Sequence, residues 1–222
     1  MKAAVVTFPG SNCDRDLAVA LERAGARVAR VWHKDTALPA GTDLVAIPGG
    51  FSFGDYLRCG AMAAQSPVMQ AVKKAADDGV AVVGICNGFQ ILTEAGLLPG
   101  ALVRNAGLAF VCREVALTVA TADSAFTRGY NAAEVVRFPV AHHDGNYRIG
   151  AEGLARLRAE DRIAFTYAEA VNGAEGEIAG VLSENRRGLG LMPHPERAAD
   201  PALGPAPGAR MLAGLVDALA TA

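Results

Sequence analysis

The segment Gly84-Ile85-Cys86-Asn87-Gly88 constrains the fold of this chain more than any other part of the sequence. An apolar run, residues 80–83, precedes it, and a helix-forming stretch, residues 89–95, follows it. This is the G-x-S-x-G pattern of a sharp turn between a strand and a helix, with cysteine in place of serine at the apex. The flanking glycines leave room for a central residue in a sparsely allowed backbone conformation. The pattern therefore predicts an α/β fold that presents Cys86 at the N-terminus of a helix.

The predicted environment of Cys86 suits a nucleophile. A helix N-terminus favours the thiolate, and the first backbone amides of the helix can stabilise an oxyanion. Glycine-rich turns of this kind also occur in α/β folds without a catalytic cysteine, and cysteine is among the most buried residue types. The turn alone is compatible with a nucleophile or with a structural cysteine.

A second cluster, Pro193-His194-Pro195-Glu196, favours the nucleophile. Because proline restricts its own φ and favours an extended conformation in the residue before it, we expect this segment to be stiff and extended. Residues i and i+2 of an extended segment face the same side, so Glu196 is expected to orient the imidazole of His194. A nucleophilic cysteine needs such a base, and the base needs an orienting partner. The alternative is a solvated histidine in a proline-rich turn.

The composition argues against several classes of protein. Of the 222 residues 51% are apolar, enough for a sizeable core, and the net charge of −2 gives no sign of a surface for nucleic acid or for an anionic membrane. No apolar run is long enough for a signal peptide or a membrane span, so we expect a cytoplasmic protein. The four cysteines are widely scattered, which predicts reduced thiols and no metal site.

The first half of the chain alternates strand and helix patterns, which predicts a doubly wound, mostly parallel sheet. Ligands bind beyond the carboxyl ends of parallel strands, and we expect three unusual turns at that edge, at residues 9–12, 48–51 and 84–88. The predicted strands are 2–7, 28–33, 44–47 and 80–85, and the predicted helices are 14–24 and 68–78.

After Gly100 the pattern changes to strand-like runs, which favour an added antiparallel region. These runs are 109–119, 135–140, 163–167, 178–182 and 189–192. A surface loop is predicted at 198–208 and a closing helix at 211–220. No interdomain linker is evident, so residues 1–222 are predicted to form a single domain.

The segment Pro48-Gly49-Gly50 directly follows a predicted buried strand. Without side chains in the way, the backbone amide of Gly50 can turn toward a ligand and form an oxyanion hole with the amide of Asn87. Most Pro-Gly-Gly segments are plain turns, so only the position of this one, a strand before Cys86, favours a function.

Together these motifs resemble those of the class I (triad) glutamine amidotransferases, with P-G-G at 48–50, G-x-C-x-G-x-Q at 84–90 and H-x-E at 194–196. Longer segments are similar to one group of that family, the glutaminase subunits of the purine-biosynthetic enzymes that convert formylglycinamide ribonucleotide to formylglycinamidine ribonucleotide. This similarity runs nearly end to end, and its most specific segments are Pro9-Gly10-Ser11-Asn12-Cys13-Asp14, Phe51-Ser52-Phe53-Gly54-Asp55-Tyr56-Leu57-Arg58-Cys59-Gly60 and Met192-Pro193-His194-Pro195-Glu196-Arg197.

The resemblance implies a role for each candidate residue. Cys86 attacks the side-chain amide of glutamine, His194 passes a proton to the departing ammonia, and Glu196 orients His194. A glutamyl thioester forms and is hydrolysed to glutamate. The amides of Gly50 and Asn87 are implied to stabilise the oxyanion, Gly49 is implied to bind the substrate, and Gln90 is implied to lie close to the bound glutamine; a helix-surface amide is the alternative for Gln90.

The resemblance also implies partners. The chain lacks a G-x-x-x-x-G-K-[ST] phosphate loop, so we predict no cofactor in it. In the family a large synthetase subunit uses ATP and magnesium and receives the ammonia, often together with a small third subunit. Residues 9–14 and 51–60 are expected to dock this partner or line the ammonia exit, or only to support the site.

The segment Ala141-His142-His143-Asp144-Gly145-Asn146 departs from the A-H-G-E-G-N pattern expected of the family. His143 replaces a glycine and Asp144 a glutamate, which leaves the loop conformation and the role of the carboxylate open. Adjacent side chains of an extended segment point to opposite faces, so a metal site made by His142 and His143 is not expected.

Two other functions stay open at this point. A free-standing cysteine hydrolase of similar fold, such as a γ-glutamyl hydrolase or a peptidase, could use the same Cys86 and His194. A regulatory module without activity is the second alternative, and the presence of Cys86, His194 and Glu196 argues against it.

Overall fold

Nine strands form one sheet in the computed structural model, which describes residues 1–221, in the order β2-β1-β3-β4-β11-β10-β9-β6-β7. These strands are β1 (Lys2–Thr7), β2 (Arg27–Trp32), β3 (Leu44–Ile47), β4 (Ala81–Ile85), β6 (Val111–Val119), β7 (Val135–His142), β9 (Ile163–Tyr167), β10 (Ile178–Leu182) and β11 (Gly188–Leu191). A separate pair joins β5 (Ala101–Val103) to β8 (Asn146–Arg148). The α-helices are α1 (Asp14–Arg23), α2 (Ala61–Ala64), α3 (Val68–Asp77), α4 (Asn87–Glu94), α5 (Gly150–Ala159) and α6 (Pro207–Ala220).

The first half of the sheet is parallel, as the sequence predicts. Strands β2, β1, β3, β4 and β11 all run in the same direction. Every residue of β3 and of β4 is buried, because central parallel strands are covered on both faces and are therefore apolar throughout. The carboxyl ends of β3 and β4 consequently lie side by side, and each continues into one of the glycine-rich turns.

The second half of the sheet is antiparallel, which confirms the added region. Strand β11 differs from the expectation, because it pairs in parallel with β4 and only its other edge pairs antiparallel, with β10. Glycine allows this position, since a Cβ on Gly190 would overlap the ring of Phe89 from α4. The direction of β11 brings the segment that follows it to the same edge as Cys86.

Four elements were not predicted from the sequence, namely β5, β8, α5 and the four-residue helix α2. The β5 and β8 strands have three residues each, too short for an alternating pattern. Helix α5 contains two glycines and buries only Leu157, so its apolar periodicity is weak. Within residues 1–221, none of the helices combines the length and the apolar character needed to cross a lipid bilayer.

Candidate active site

Cys86 lies at the apex of the turn between β4 and α4. Its φ of 53° and ψ of −107° are a sparsely populated combination for a residue with a side chain, as the sequence predicts. The two flanking glycines are required by packing, because a Cβ on Gly84 would lie 2.6 Å from the carbonyl of Gly88, and one on Gly88 would overlap the carbonyl of Ile47. The surrounding backbone therefore holds Cys86 in a strained conformation at the start of a helix.

His194 and Glu196 form a close pair beside this turn. The distance from Nδ1 of His194 to Oε1 of Glu196 is 2.6 Å, and both side chains are buried. The backbone amide of His194 donates to the carbonyl of Pro139 at 2.9 Å, which fixes the histidine against β7. The carboxylate therefore sets the orientation of the ring and leaves Nε2 of His194 free to give or accept a proton.

The predicted extended conformation of this segment is wrong, although the expected contact is present. Residues Pro195–Ala198 form a single 3-10 turn that begins at the proline. Proline is well suited to the first position of a helical turn, because its fixed φ is helical and its missing N–H needs no partner there. Glu196 thus reaches His194 by folding back within one turn.

The electrostatic surroundings of His194 favour the imidazolium. Burial lowers the pKa of His194, but the charges of Glu196 and Cys86 outweigh it and raise the pKa well above its usual value. Nε2 of His194 and Oε2 of Glu196 are buried without a hydrogen-bond partner among residues 1–221. The sulfur of Cys86 contacts the carbonyl oxygen of Ala141 at 3.7 Å. This arrangement places a protonated base beside the sulfur of Cys86.

Gly49 and Gly50 lie beside Cys86 and His194. A Cβ on Gly49 would lie 2.7 Å from Cε1 of His194 and 3.4 Å from Cβ of Cys86, so only glycine fits. The carbonyl of Gly49 accepts from the backbone amides of Asn12 at 3.4 Å and Cys13 at 3.2 Å. In a trans peptide the amide of Gly50 points away from that carbonyl. Within the described chain, the backbone amides of Gly50 and Asn87 donate to no protein acceptor.

The side chains of Asn87 and Gln90 connect two loops. Oδ1 of Asn87 accepts from the amide of Ser52 at 3.1 Å, and its Nδ2 donates to Oε1 of Gln90 at 2.9 Å and to Oδ1 of Asp55 at 3.4 Å. Nε2 of Gln90 donates to the carbonyl of Asp144 at 2.7 Å. Gln90 is therefore buried and uses both ends of its amide within the protein. Its contact with glutamine stays a prediction.

His142 and His143 have different surroundings. Nδ1 of His142 bonds to Oδ1 of Asn105 at 3.2 Å, while Nδ2 of Asn105 donates to two carbonyls, so Nδ1 of His142 carries the proton. Burial, and then the charge of His194, lowers the pKa of His142 to about 4. His143 instead contacts Arg104, which also binds Asp144 at 3.1 Å. The first histidine is thus neutral and buried, and the second faces the surface.

Sequence reasoning did not single out Cys13 for the site. Its sulfur, a ring nitrogen of His194 and a carboxylate oxygen of Glu196 lie within 4.8 Å of one another. Cysteine, histidine and glutamate are all ligands of zinc. However, the Arg197 guanidinium contacts the sulfur at 3.1 Å, and Nδ1 of His194 is already bound to Glu196. These contacts favour a hydrogen-bonded cluster over a metal centre.

Comparison with known proteins gives consistent matches. Residues 1–211 match the CobB/CobQ-like glutamine amidotransferase domain. A phosphoribosylformylglycinamidine synthase subunit PurQ from Cereibacter sphaeroides is 66% identical over 220 residues, covering 99% of each chain. The corresponding subunit from Roseobacter denitrificans is 63% identical over 220 residues, again covering 99% of each chain. A chain in the structure of PurLQS from Thermotoga maritima superimposes with a TM-score of 0.90 at 42% identity, covering 98% of each chain.

Proposed function

Because this chain belongs to the CobB/CobQ-like glutamine amidotransferase family, we propose that Cys86, His194 and Glu196 are the catalytic triad with which it hydrolyses glutamine. The chain is a glutamine amidotransferase that acts in purine biosynthesis as a subunit of phosphoribosylformylglycinamidine synthase, as its relatives are named. Identities of 66% and 63% over whole chains favour this function over the free-standing cysteine hydrolase that the sequence left open.

The reaction follows from the geometry of the triad. The thiolate of Cys86 attacks the side-chain carbonyl carbon of glutamine, and the carbonyl electrons move to the oxygen. The Gly50 and Asn87 amides, which have no partner in the described chain, stabilise this oxyanion. The carbon–nitrogen bond breaks as Nε2 of His194 gives its proton to the leaving nitrogen, which departs as ammonia. Water, deprotonated by His194, then hydrolyses the thioester to glutamate and restores Cys86.

The observation that carries this proposal is the 2.6 Å pair of His194 and Glu196 next to the strained Cys86. A buried carboxylate bound to Nδ1 fixes the tautomer and leaves Nε2 to serve the nucleophile. Cys59, another buried thiol, lacks such a base. Burial, and then the charges of Asp55 and Asp144, raises the pKa of Cys59, so its thiol stays protonated.

The triad is tested with a glutamine-analogue electrophile and with ammonia release. The electrophile should label Cys86 and leave the exposed Cys112 and the other thiols unlabelled. His194→Ala should lower glutamine hydrolysis by about a hundredfold to ten-thousandfold, because it removes the general acid and base. Glu196→Gln should lower it less, because the base is retained and only its orientation is weakened. Labelling of another cysteine in place of Cys86, or wild-type hydrolysis by His194→Ala, would refute the assignment.

Within the proposal, the ammonia passes to a large synthetase subunit that holds ATP and magnesium, with a small third subunit as a further member. The relatives are named as subunits, and one solved relative belongs to a structure called PurLQS, which supports an assembly.

The proposal also includes a cytoplasmic location, supported by four free thiols. It treats residues 1–222 as one domain, because nine strands from both halves of the described chain, β1 and β11 among them, share one sheet.

The proposed docking surface for the synthetase subunit is the set of exposed apolar side chains in two loops, namely Phe51, Tyr56 and Leu57 in one and Leu108 and Phe110 in the other. Three of these residues line a cavity of about 410 Å³ together with Asp55 and Asp144. Large exposed apolar patches usually mark interaction sites. These side chains therefore suit an apolar surface of the partner.

The loop that carries part of this docking surface is coupled to the site. Phe53, Asp55 and Leu57 all have positive φ, a strained conformation for residues with side chains. Ser52 and Asp55 of this loop bond to the Asn87 side chain, whose backbone amide faces the oxyanion in the proposal. Docking on the loop can therefore shift the population of the active arrangement.

Partner dependence is tested by steady-state ammonia release with and without the synthetase subunit, its nucleotide and formylglycinamide ribonucleotide. The isolated chain should be slow, and the complex at least tenfold faster, equivalent to about 1.4 kcal/mol in the barrier. Leu57→Asp should abolish the increase without altering the slow basal rate. Leu203→Asp is the matched control, since Leu57 is 91% and Leu203 84% exposed, and it should retain the increase. Equal rates with and without the partner would refute coupling but leave the triad intact.

A further inference from the structure

The mechanism above leaves one buried nucleophilic group next to the triad without a role. Cys13 is buried at the N-terminus of α1, with 2% of its surface exposed. Its sulfur would lie 3.3 Å from a Cβ on Gly49, and it lies within 4.8 Å of the polar atoms of His194 and Glu196. The Cys13 thiol therefore lines the site next to His194 and Glu196.

The Arg197 side chain connects Cys13 to the 3-10 turn that contains Glu196. Its Nη2 donates to the sulfur of Cys13 at 3.1 Å, and its Nε donates to Oδ2 of Asp16 at 3.2 Å. Both partners belong to the start of α1, whereas Arg197 directly follows Glu196 in the 3-10 turn. A guanidinium holds two partners in a fixed geometry, so this contact fixes the turn against the helix.

The same guanidinium compensates a buried charge. The side chain of Glu196 is fully buried, and its Oε2 has no partner among residues 1–221. An ionised carboxylate in such a place needs nearby positive charge. Burial opposes the charge of Arg197, but Cys13, Glu196 and Asp16 together raise the Arg197 pKa above its usual value. The charge of Glu196 therefore helps to keep Arg197 protonated, with the Cys13 sulfur packed beside them.

We propose that Cys13 and Arg197 are positioning residues for the catalytic base: the guanidinium holds the thiol, and the two together fix Glu196 and, through it, His194. This inference rests on the triad of the proposed function. It assigns no bond-making step to Cys13, whose sulfur acts through packing and by accepting a hydrogen bond. Both residues thus govern the rate of the chemical step and leave glutamine binding unaffected.

The test compares Cys13→Ala, Cys13→Ser and Arg197→Met in the complex with the synthetase subunit, by the kcat and KM of glutamine hydrolysis. Cys13→Ala should lower kcat at least tenfold and change KM for glutamine less than twofold. Cys13→Ser should recover most of this loss, because a hydroxyl still accepts from Arg197. Arg197→Met, which keeps the volume and removes the charge and donors, should lose as much as Cys13→Ala. The rate at which the electrophile labels Cys86 should follow the same order.

Val31→Ala is the control for a general loss of packing, since Val31 is equally buried, at 3% exposure, on the edge strand β2. It should keep the wild-type kcat. A wild-type kcat in Cys13→Ala, a change confined to KM, or an equal loss in Cys13→Ala and Cys13→Ser would each overturn the inference. If wild-type protein fails to release ammonia, or His194→Ala keeps full activity, the proposed function itself fails. A wild-type rate for Cys13→Ala alongside an inactive His194→Ala refutes only the positioning role.

Discussion

Replacing His142 by asparagine should remove a large part of the acid sensitivity of this fold. The His142 ring is 3% exposed, and Asn105 holds its neutral form. Its pKa falls from 6.5 to about 4 on folding, through burial and the charge of His194. Because the unfolded chain binds this proton more readily, the neutral ring contributes stability above pH 6.5 that is lost as the pH falls toward 4. The full difference corresponds to about 3 kcal/mol, and about 2 kcal/mol of it is lost between pH 7.5 and pH 5.

The assay is urea unfolding of the wild type and His142→Asn at pH 7.5, 6.5, 5.5 and 5. The asparagine amide can still donate to Asn105, so the variant should keep its fold at pH 7.5. The free energy of unfolding should fall by about 2 kcal/mol more in the wild type than in the variant as the pH goes from 7.5 to 5. All other titrating groups are common to both proteins and cancel in the difference. Parallel curves for the two proteins would refute the neutral, buried state of His142.

Three further substitutions test packing around the site. Gly49→Ala should lower kcat for glutamine at least tenfold, because its Cβ would lie 2.7 Å from Cε1 of His194; unchanged kinetics would contradict this geometry. Gly190→Ala should lower the free energy of unfolding by about 1–3 kcal/mol in urea, because its Cβ overlaps the Phe89 ring, and a neutral result would contradict that contact. Tyr147→Phe should cost about 1 kcal/mol in the same assay, by loss of the 2.8 Å bond to Pro99, without altering kcat.

The sequence predicts most of the sheet because its strands carry strong local patterns. Strands β1, β3, β9 and β10 have the predicted bounds, since each is a short apolar run between breakers. The direction of β11 could not be read from its residues. Four residues, two of them glycine, give no information on which neighbour they pair with, and only packing against β4 and α4 decides it.

For the site, motif and placement pointed to Cys86, His194 and Glu196, which the structure brings together, while their catalytic roles stay a prediction. The path of the backbone between His194 and Glu196 was mispredicted, because His194 stays non-helical, at φ −105° and ψ 87°, while Pro195 starts a 3-10 turn directly after it. Cys13 was not assigned to the site. Its place beside the base results from contacts with Arg197 and Gly49, which are distant in the sequence and carry no local pattern.

The parallel pairing of β11 with β4 has a consequence for how activity arises during folding. The proposed nucleophile Cys86 and its proposed base His194 follow the neighbouring strands β4 and β11, which are far apart in the sequence, with all of β5 to β10 between them. Contacts of such long sequence separation require closing a large loop, and they form late when folding follows topology. A chain whose first four strands have assembled therefore holds Cys86 without a base. Under the proposed triad, we expect the thiol to become reactive only when β11 pairs with β4, so the onset of glutamine hydrolysis in a refolding experiment should mark the formation of this strand pair.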